Sequence, residues 1–294
     1  MKIGFIGTGK MGLPMARHIA AAGHEVAAYD IAPEQASAAR QTGLAVAPSL
    51  ADAVGAAEVI FSSMPNDSAF SAVAGQIAKA ARPGALYIDT STVSPAASAA
   101  VAPLLAERGI GYLRVTVSGN NHMAEAAKLT ALVSGPADAY ERVKPLLAAL
   151  GPAQFYLGDA EQARLMKLVV NLLIALTGGM LAEALTLGSK GGLGWQAMWE
   201  VITASAVASP IVKAKAEQLA VHDYTPTFTV EQMLKDVGLI LDAGSDLHVP
   251  MGLTALLGQM LHGAAAQGMA GDDYAAVIKS AALAAGMQPG QRQQ

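Results

Sequence analysis

The chain contains no cysteine, which removes disulfides, thiol nucleophiles and Cys-based metal sites from consideration. Charge is also scarce. Asp, Glu, Lys and Arg make up 14% of the 294 residues, against about 25% in an average soluble domain, so much of the length must be buried, some of it between subunits. There is no excess of basic residues either. A net charge of −4 and a pI near 5.8 leave no electrostatic case for a nucleic-acid partner. An uninterrupted membrane span is missing too. The most apolar stretch, Leu168 to Leu187, starts beside Lys167 and contains Asn171, Thr177, Gly178, Gly179 and Glu183, a set suited to a helix enclosed by protein. The first strand begins at once, leaving no room for a signal peptide, and the expected location is cytoplasmic. His222, His248, Glu183 and Glu231 have no metal-ligand spacing, so no metal site is predicted. No nucleophilic triad is visible, and Ser118 lacks a GxSxG context.

The strongest positive feature lies at the N-terminus. The apolar run 2–6 leads into Gly7-Thr8-Gly9-Lys10-Met11-Gly12, and a second apolar run, 25–29, ends on Asp30, 18 residues after Gly12. A GxGxxG alone is weak, but one that closes a strand, opens a helix and precedes an acid at the next strand's end predicts a dinucleotide site. Gly7 permits the turn, Gly9 admits the pyrophosphate and Gly12 allows close helix packing, with helix-start N–H groups facing the phosphates. Asp30 can accept the ribose hydroxyls and would repel a 2′-phosphate, while Ile31-Ala32-Pro33 offers no cation. NAD is favoured over NADP, with Arg40 the residue that could qualify this.

Strand-like runs at 2–7, 25–30, 58–64, 85–90, 111–117, 129–134 and 154–157 alternate with Ala-rich helical windows, which predicts βαβ units and a largely parallel sheet. The polar tips of runs 58–64 and 85–90 are expected to face a ligand, because ligands in such sheets lie beyond the carboxyl ends of strands. A helix is expected at 137–149. From Ala160 to about Lys190 the pattern becomes one long helix, apolar on nearly every side, that needs cover from its own domain or a second subunit. Windows 195–206, 210–221, 229–244, 251–267 and 272–285 also read as helical, and 288–294 as a frayed tail. The predicted architecture is an α/β Rossmann-type domain (1–160) and an all-α domain for substrate binding and dimerisation (161–294), joined by a long interdomain helix.

Lys167 and Asn171, four residues apart, share one face of that helix. A partly desolvated lysine is a usable general acid or base. A lysine snorkelling to water beside a local Asn contact fits the spacing equally well. In Val117-Ser118-Gly119-Asn120-Asn121-His122, the Ser118 hydroxyl and the N–H groups of Gly119 and Asn120 form a candidate carboxylate cradle, yet a strand-to-helix turn with Ser118 or Asn120 as N-cap fits as well. His122 on such a loop is more often solvated than catalytic. A Lys235-Asp236 pair on a helix is usually a solvated face.

Taken in order, these segments resemble the β-hydroxyacid dehydrogenases, a family that includes 3-hydroxyisobutyrate dehydrogenase and tartronate semialdehyde reductase. Gly4 to Gly12 with Met15-Ala16 looks like the family's cofactor motif, and Asp89-Thr90-Ser91-Thr92-Val93-Ser94-Pro95 is similar to its D-x-S-T-x-x-P segment. Val117-Ser118-Gly119 matches its substrate loop, Lys167 and Asn171 its K-x-x-x-N pair, and Lys235 to Leu239 its late K-D segment. The resemblance spans essentially the whole chain. It implies Lys167 as catalytic acid/base, Asn171 orienting the substrate, and Ser118, Gly119 and Asn120 holding its polar head. It also implies Met64, Pro65 and Thr92 beside the nicotinamide and Lys235 closing over cofactor and substrate. The partner implied is a small hydroxy acid or semialdehyde, and the expected assembly is a homodimer or homotetramer. The chain departs from the family at Thr116 and Asn120, where Pro and Gly are usual, and at Gly158-Asp159-Ala160-Glu161, where a glycine-rich segment normally precedes the lysine. These changes hint at a bulkier or more polar substrate. An imine reductase and a catalytically idle NAD-binding module are the alternatives, and Lys167 speaks against both.

Overall fold

A computed structural model describes residues 1–287; the tail expected at 288–294 lies outside the described residues. The chain divides into two compact units, Met1–Lys167 and Leu168–Gln294.

The first unit carries one eight-stranded sheet: β1 (Lys2–Ile6), β2 (Glu25–Tyr29), β3 (Ala45–Val46), β4 (Val59–Ser62), β5 (Leu86–Asp89), β6 (Gly111–Ser118), β7 (Thr130–Ser134) and β8 (Ala153–Tyr156). Their order across the sheet is β3-β2-β1-β4-β5-β6-β7-β8. All neighbours pair in parallel except β6 and β7, which are antiparallel. The intervening helices are α1 (Gly12–Ala21), α2 (Pro33–Gln41), α3 (Leu50–Val54), α4 (Asp67–Ala80), α5 (Pro95–Ala106), α6 (Asn121–Glu125) and α7 (Ala137–Leu147).

Helices cover both faces of the sheet, which is why its strands read as continuous apolar runs. Successive side chains still alternate between two cores. Val59 and Phe61 of β4 and Leu86 and Ile88 of β5 join the core that includes Met15 and Ile19 of α1. Ile60 and Tyr87 face the opposite core, with Phe70 and Ile77 of α4 and Leu105 of α5. The two-residue β3 and the short α3 lie outside the expected runs, because neither is long enough to show a period. Side-chain caps fix several helix starts: Ser49, Asn66, Ser94 and Asn120 each accept an N–H of the first turn.

The second unit is helical. It comprises most of α8 (Gln162–Lys190), then α9 (Trp195–Ala204), α10 (Pro210–Leu219), α11 (Val230–Asp246), α12 (Gly252–Ala264) and α13 (Val277–Ala284). Ala175, Leu181, Ala182 and Leu185 of α8 pack in its core with Trp199, Val237, Leu257 and Tyr274. A Thr229 capping box with Gln232 opens α11. The window expected as a continuous helix to 267 stops at Ala264. A π turn, Ala265–Met269, follows, and Gly268 at φ 86° breaks the helix. The next window starts as a 3-10 turn, Tyr274–Ala276, before α13. By length and apolarity alone α8 is able to cross a membrane, but its Arg164 and Lys167 are buried in protein and its second half belongs to the helical core.

Candidate active site

The three glycines after β1 differ in what requires them. Gly7 has φ +87°, and its N–H donates to the Tyr29 carbonyl at 2.9 Å. A side chain at Gly12 would collide with the Gly7 carbonyl oxygen, so that glycine lets α1 pack against the strand end. Around Gly9, by contrast, a Cβ would meet nothing within 4 Å. Protein packing leaves that glycine unexplained, whereas a ligand backbone lying on the loop explains it. α1 also starts without a side-chain cap, so its first N–H groups suit an anionic group. The residues present therefore fit a dinucleotide. Lys10 is exposed and Met11 half-buried on the same turn.

The structure gives Asp30 a role that its position in the sequence does not reveal. One carboxylate oxygen accepts the Thr8 N–H at 2.7 Å, and the other accepts the Ala32 N–H at 2.9 Å. The group thus ties the glycine loop to the end of β2. A carboxylate offers about four acceptor positions, so capacity for ribose hydroxyls remains. Ile31 is exposed beside it.

At the ends of β4 and β5 lies a buried polar network. Asp89 accepts from Ser62 Oγ, from Ser91 Oγ at 2.7 Å and from the Ser91 N–H at 3.1 Å. Ser91 Oγ in turn accepts the Met64 N–H at 2.7 Å. Thr90 donates both its N–H and its hydroxyl to the Ser62 carbonyl. The segments containing Met64, Pro65 and Thr92 are thereby held together at the carboxyl ends of neighbouring strands. Burial pushes the Tyr87 phenol well above its ordinary pKa and raises Tyr112 as well, so both keep their protons.

β6 ends on Ser118. Gly119 has φ +136°, and a Cβ there would lie 2.8 Å from Leu129 Cδ2, so both backbone and packing select glycine. Asn120 caps α6, its Oδ1 accepting the Met123 N–H at 3.0 Å. That oxygen is committed to the turn, which leaves the Asn120 amide nitrogen, the backbone N–H groups and the Ser118 hydroxyl as the polar groups to consider for a ligand. His122 is exposed on α6.

The first turns of α8 are pinned to the sheet. Arg164, fully buried, donates from Nη2 to Asp89 Oδ1 (2.6 Å) and to the Tyr112 hydroxyl (2.9 Å), from Nη1 to the Ser91 carbonyl (2.6 Å), and from Nε to Ser98 Oγ (3.2 Å). Burial opposes its charge, but Tyr112 and Asp89 outweigh burial and hold its pKa above the ordinary value. Arg114 pairs with Glu161, and Thr116 Oγ1 donates to the Ala163 carbonyl at 3.0 Å. Lys167, one turn beyond Arg164, is only 8% exposed, as is Asn171. Within the helical unit, Asn171 Nδ2 donates to Asp236 Oδ2 at 2.5 Å, and Lys235 Nζ forms an ion pair with Asp236 Oδ1 at 2.7 Å. The K-D pair is therefore no solvated face, since Asp236 is buried. Arg164, Asp89 and Asp236 are among the buried polar residues that sequence reasoning left without a role. An arginine in an otherwise apolar helix, three residues before Lys167, was the available signal.

Comparison with known proteins covers nearly the whole length. A family model described as the NAD binding domain of 6-phosphogluconate dehydrogenase matches residues 2–158. A second, described as NAD-binding of NADP-dependent 3-hydroxyisobutyrate dehydrogenase, matches residues 162–281. The chain is 35% identical to 2-(hydroxymethyl)glutarate dehydrogenase of Eubacterium barkeri, covering 95% of this chain and 94% of that protein. It is 34% identical to L-threonate dehydrogenase of Cupriavidus necator, covering 94% and 95%. Among solved structures, Mycobacterium tuberculosis 3-hydroxyisobutyrate dehydrogenase with L-serine superposes with a TM-score of 0.87 at 31% identity, covering 95% of this chain and 98% of that one.

Proposed function

Because this chain belongs to the β-hydroxyacid dehydrogenase family, we propose that it interconverts a small 3-hydroxy acid and its semialdehyde with NAD(H), Lys167 serving as the general acid/base. The observation that carries this reading is a lysine 8% exposed, one turn from the fully buried Arg164 and four residues before Asn171.

Gly7, Thr8, Gly9, Lys10, Met11 and Gly12 hold the pyrophosphate side of the cofactor, Asp30 its adenosine ribose, and Met64, Pro65 and Thr92 its nicotinamide end; Lys235 is assigned to cofactor and substrate. When bound, the nicotinamide supplies or accepts the hydride. The protein positions the substrate and handles the proton. Lys167 Nζ takes the hydroxyl proton during oxidation and returns it during reduction. Asn171, with its amide nitrogen held by Asp236, orients the reacting hydroxyl. The Ser118 hydroxyl and the N–H groups of Gly119 and Asn120 bind the substrate carboxylate.

NAD is preferred to NADP, because a carboxylate at Asp30 meets the 2′ position and Ile31-Ala32-Pro33 supplies no cation. The polar Asn120-Asn121-His122 segment favours a substrate larger or more polar than hydroxyisobutyrate. Leu173, Met180 and Leu187, spaced by seven residues on α8, are exposed. That apolar stripe supports burial against a second copy of the chain, giving a homodimer or a homotetramer. An imine reductase is not favoured: the two relatives described above, at 35% and 34% identity, are dehydrogenases of hydroxylated acids, and a buried lysine suits proton exchange with a hydroxyl. A panel of 3-hydroxy acids, semialdehydes and cyclic imines, followed by NADH absorbance, tests the reading. Turnover confined to the imines would overturn it.

A further inference from the structure

Arg164 carries a full charge with no exposure, yet the proposed chemistry does not use it. Its partners lie far apart in the chain: Asp89, 75 residues away, Ser91, 73 away, and Tyr112, 52 away. The Phe70 ring also lies close, its centroid 5.4 Å from the guanidinium carbon. A buried ion pair of this kind is a poor device for stability alone, since desolvation offsets the Coulombic gain and apolar side chains seal such a site as well. What a planar guanidinium adds is direction, because its donors leave in a fixed fork.

The directions matter because of what hangs from each contact. Asp89 holds Ser91, and Ser91 holds the backbone of Met64. Arg164 itself belongs to the first turns of α8, and Lys167 follows three residues later on the same helix. This single cation therefore joins the two strand-end segments assigned to the nicotinamide end with the turn that presents the acid/base. Just ahead of α8, Glu161 pairs with Arg114. The approach to the lysine is thus fixed by two ion pairs.

We infer that Arg164 is a positioning residue for hydride transfer, setting Met64, Thr92 and Lys167 in one frame through Asp89 and Ser91. This rests on the functional reading above. A misplacement of about 1 Å is enough to cost on the order of 100-fold in rate.

Arg164→Lys tests the inference, because it keeps a cation beside Asp89 and removes the fork. ADP-ribose binding reports on the glycine loop and Asp30, which lie outside the network, and is expected to match wild type. With the substrate found in the panel, kcat should fall about 100-fold with little change in KM. The isotope effect on kcat with NADH deuterated at C4 should rise, because hydride transfer becomes limiting. Should Arg164→Lys fail to fold, the double variant Asp89→Asn/Arg164→Met, which removes both charges, carries the test with the same expected loss. A folded variant with wild-type kcat and isotope effect, whatever its melting temperature, would overturn the inference alone. A wild-type protein that turns over no hydroxy acid or semialdehyde would overturn the functional reading, and the inference with it.

Discussion

Asn171 donates its amide nitrogen to Asp236 at 2.5 Å, joining two helices 65 residues apart in sequence. A carboxylate only accepts, so the amide's orientation is settled by the partner: Nδ2 faces Asp236, and the carbonyl oxygen and second N–H remain for other groups. The same carboxylate pairs with Lys235. One buried acid thus governs two residues assigned to substrate and cofactor.

Removing that acid should be costly in both senses. Asp236→Ala leaves the Asn171 donor without its buried partner, at a cost of about 1–3 kcal/mol in stability. Because Asn171 and Lys235 lose their shared anchor, kcat/KM should also fall by at least about tenfold, equivalent to roughly 1.4 kcal/mol. Chemical denaturation and steady-state kinetics read the two effects separately. Wild-type kinetics in a destabilised variant would mean that Asp236 only staples α8 to α11.

The proposed preference for NAD rests on Asp30. Wild-type protein should use NAD at least about tenfold better than NADP in kcat/KM, since a 2′-phosphate would meet the carboxylate. The same carboxylate also accepts the Thr8 N–H, so Asp30→Ala should weaken binding of both cofactors through the loosened glycine loop. Titration of NADH and NADPH fluorescence measures this. A preference for NADP in wild type would refute the role given to Asp30.

The exposed stripe Leu173, Met180 and Leu187 on α8 calls for cover, because a contiguous exposed apolar patch marks an interaction surface. Light scattering should give at least twice the 29.9 kDa chain mass. Leu173→Arg/Met180→Arg should shift the protein toward monomer. A monomeric wild type would contradict the assembly.

Much of the fold was legible because its signals are local. Gly7 to Gly12, closing β1 and opening α1, announced the dinucleotide fold, and the loss of strand pattern after residue 160 announced the helical unit. The polar contacts were less legible, because they join residues distant in sequence. Nothing near Asp89 points to Arg164, and nothing near Asp236 points to Asn171. Spacing alone made Asp30 a candidate ribose ligand, but its bonds to Thr8 and Ala32 depend on the closed loop. Asn120 was open to two readings, and its Oδ1 caps α6. The π turn at 265–269 follows from the helix break at Gly268, and an apolar window gives no sign of it.

Lys167 bears the central claim, and Lys167→Ala tests it most directly. Cofactor fluorescence should show NADH bound as tightly as in wild type, while turnover of the hydroxy acid falls by at least about 100-fold, the contribution expected of a placed acid/base. Wild-type turnover in that variant would contradict the account.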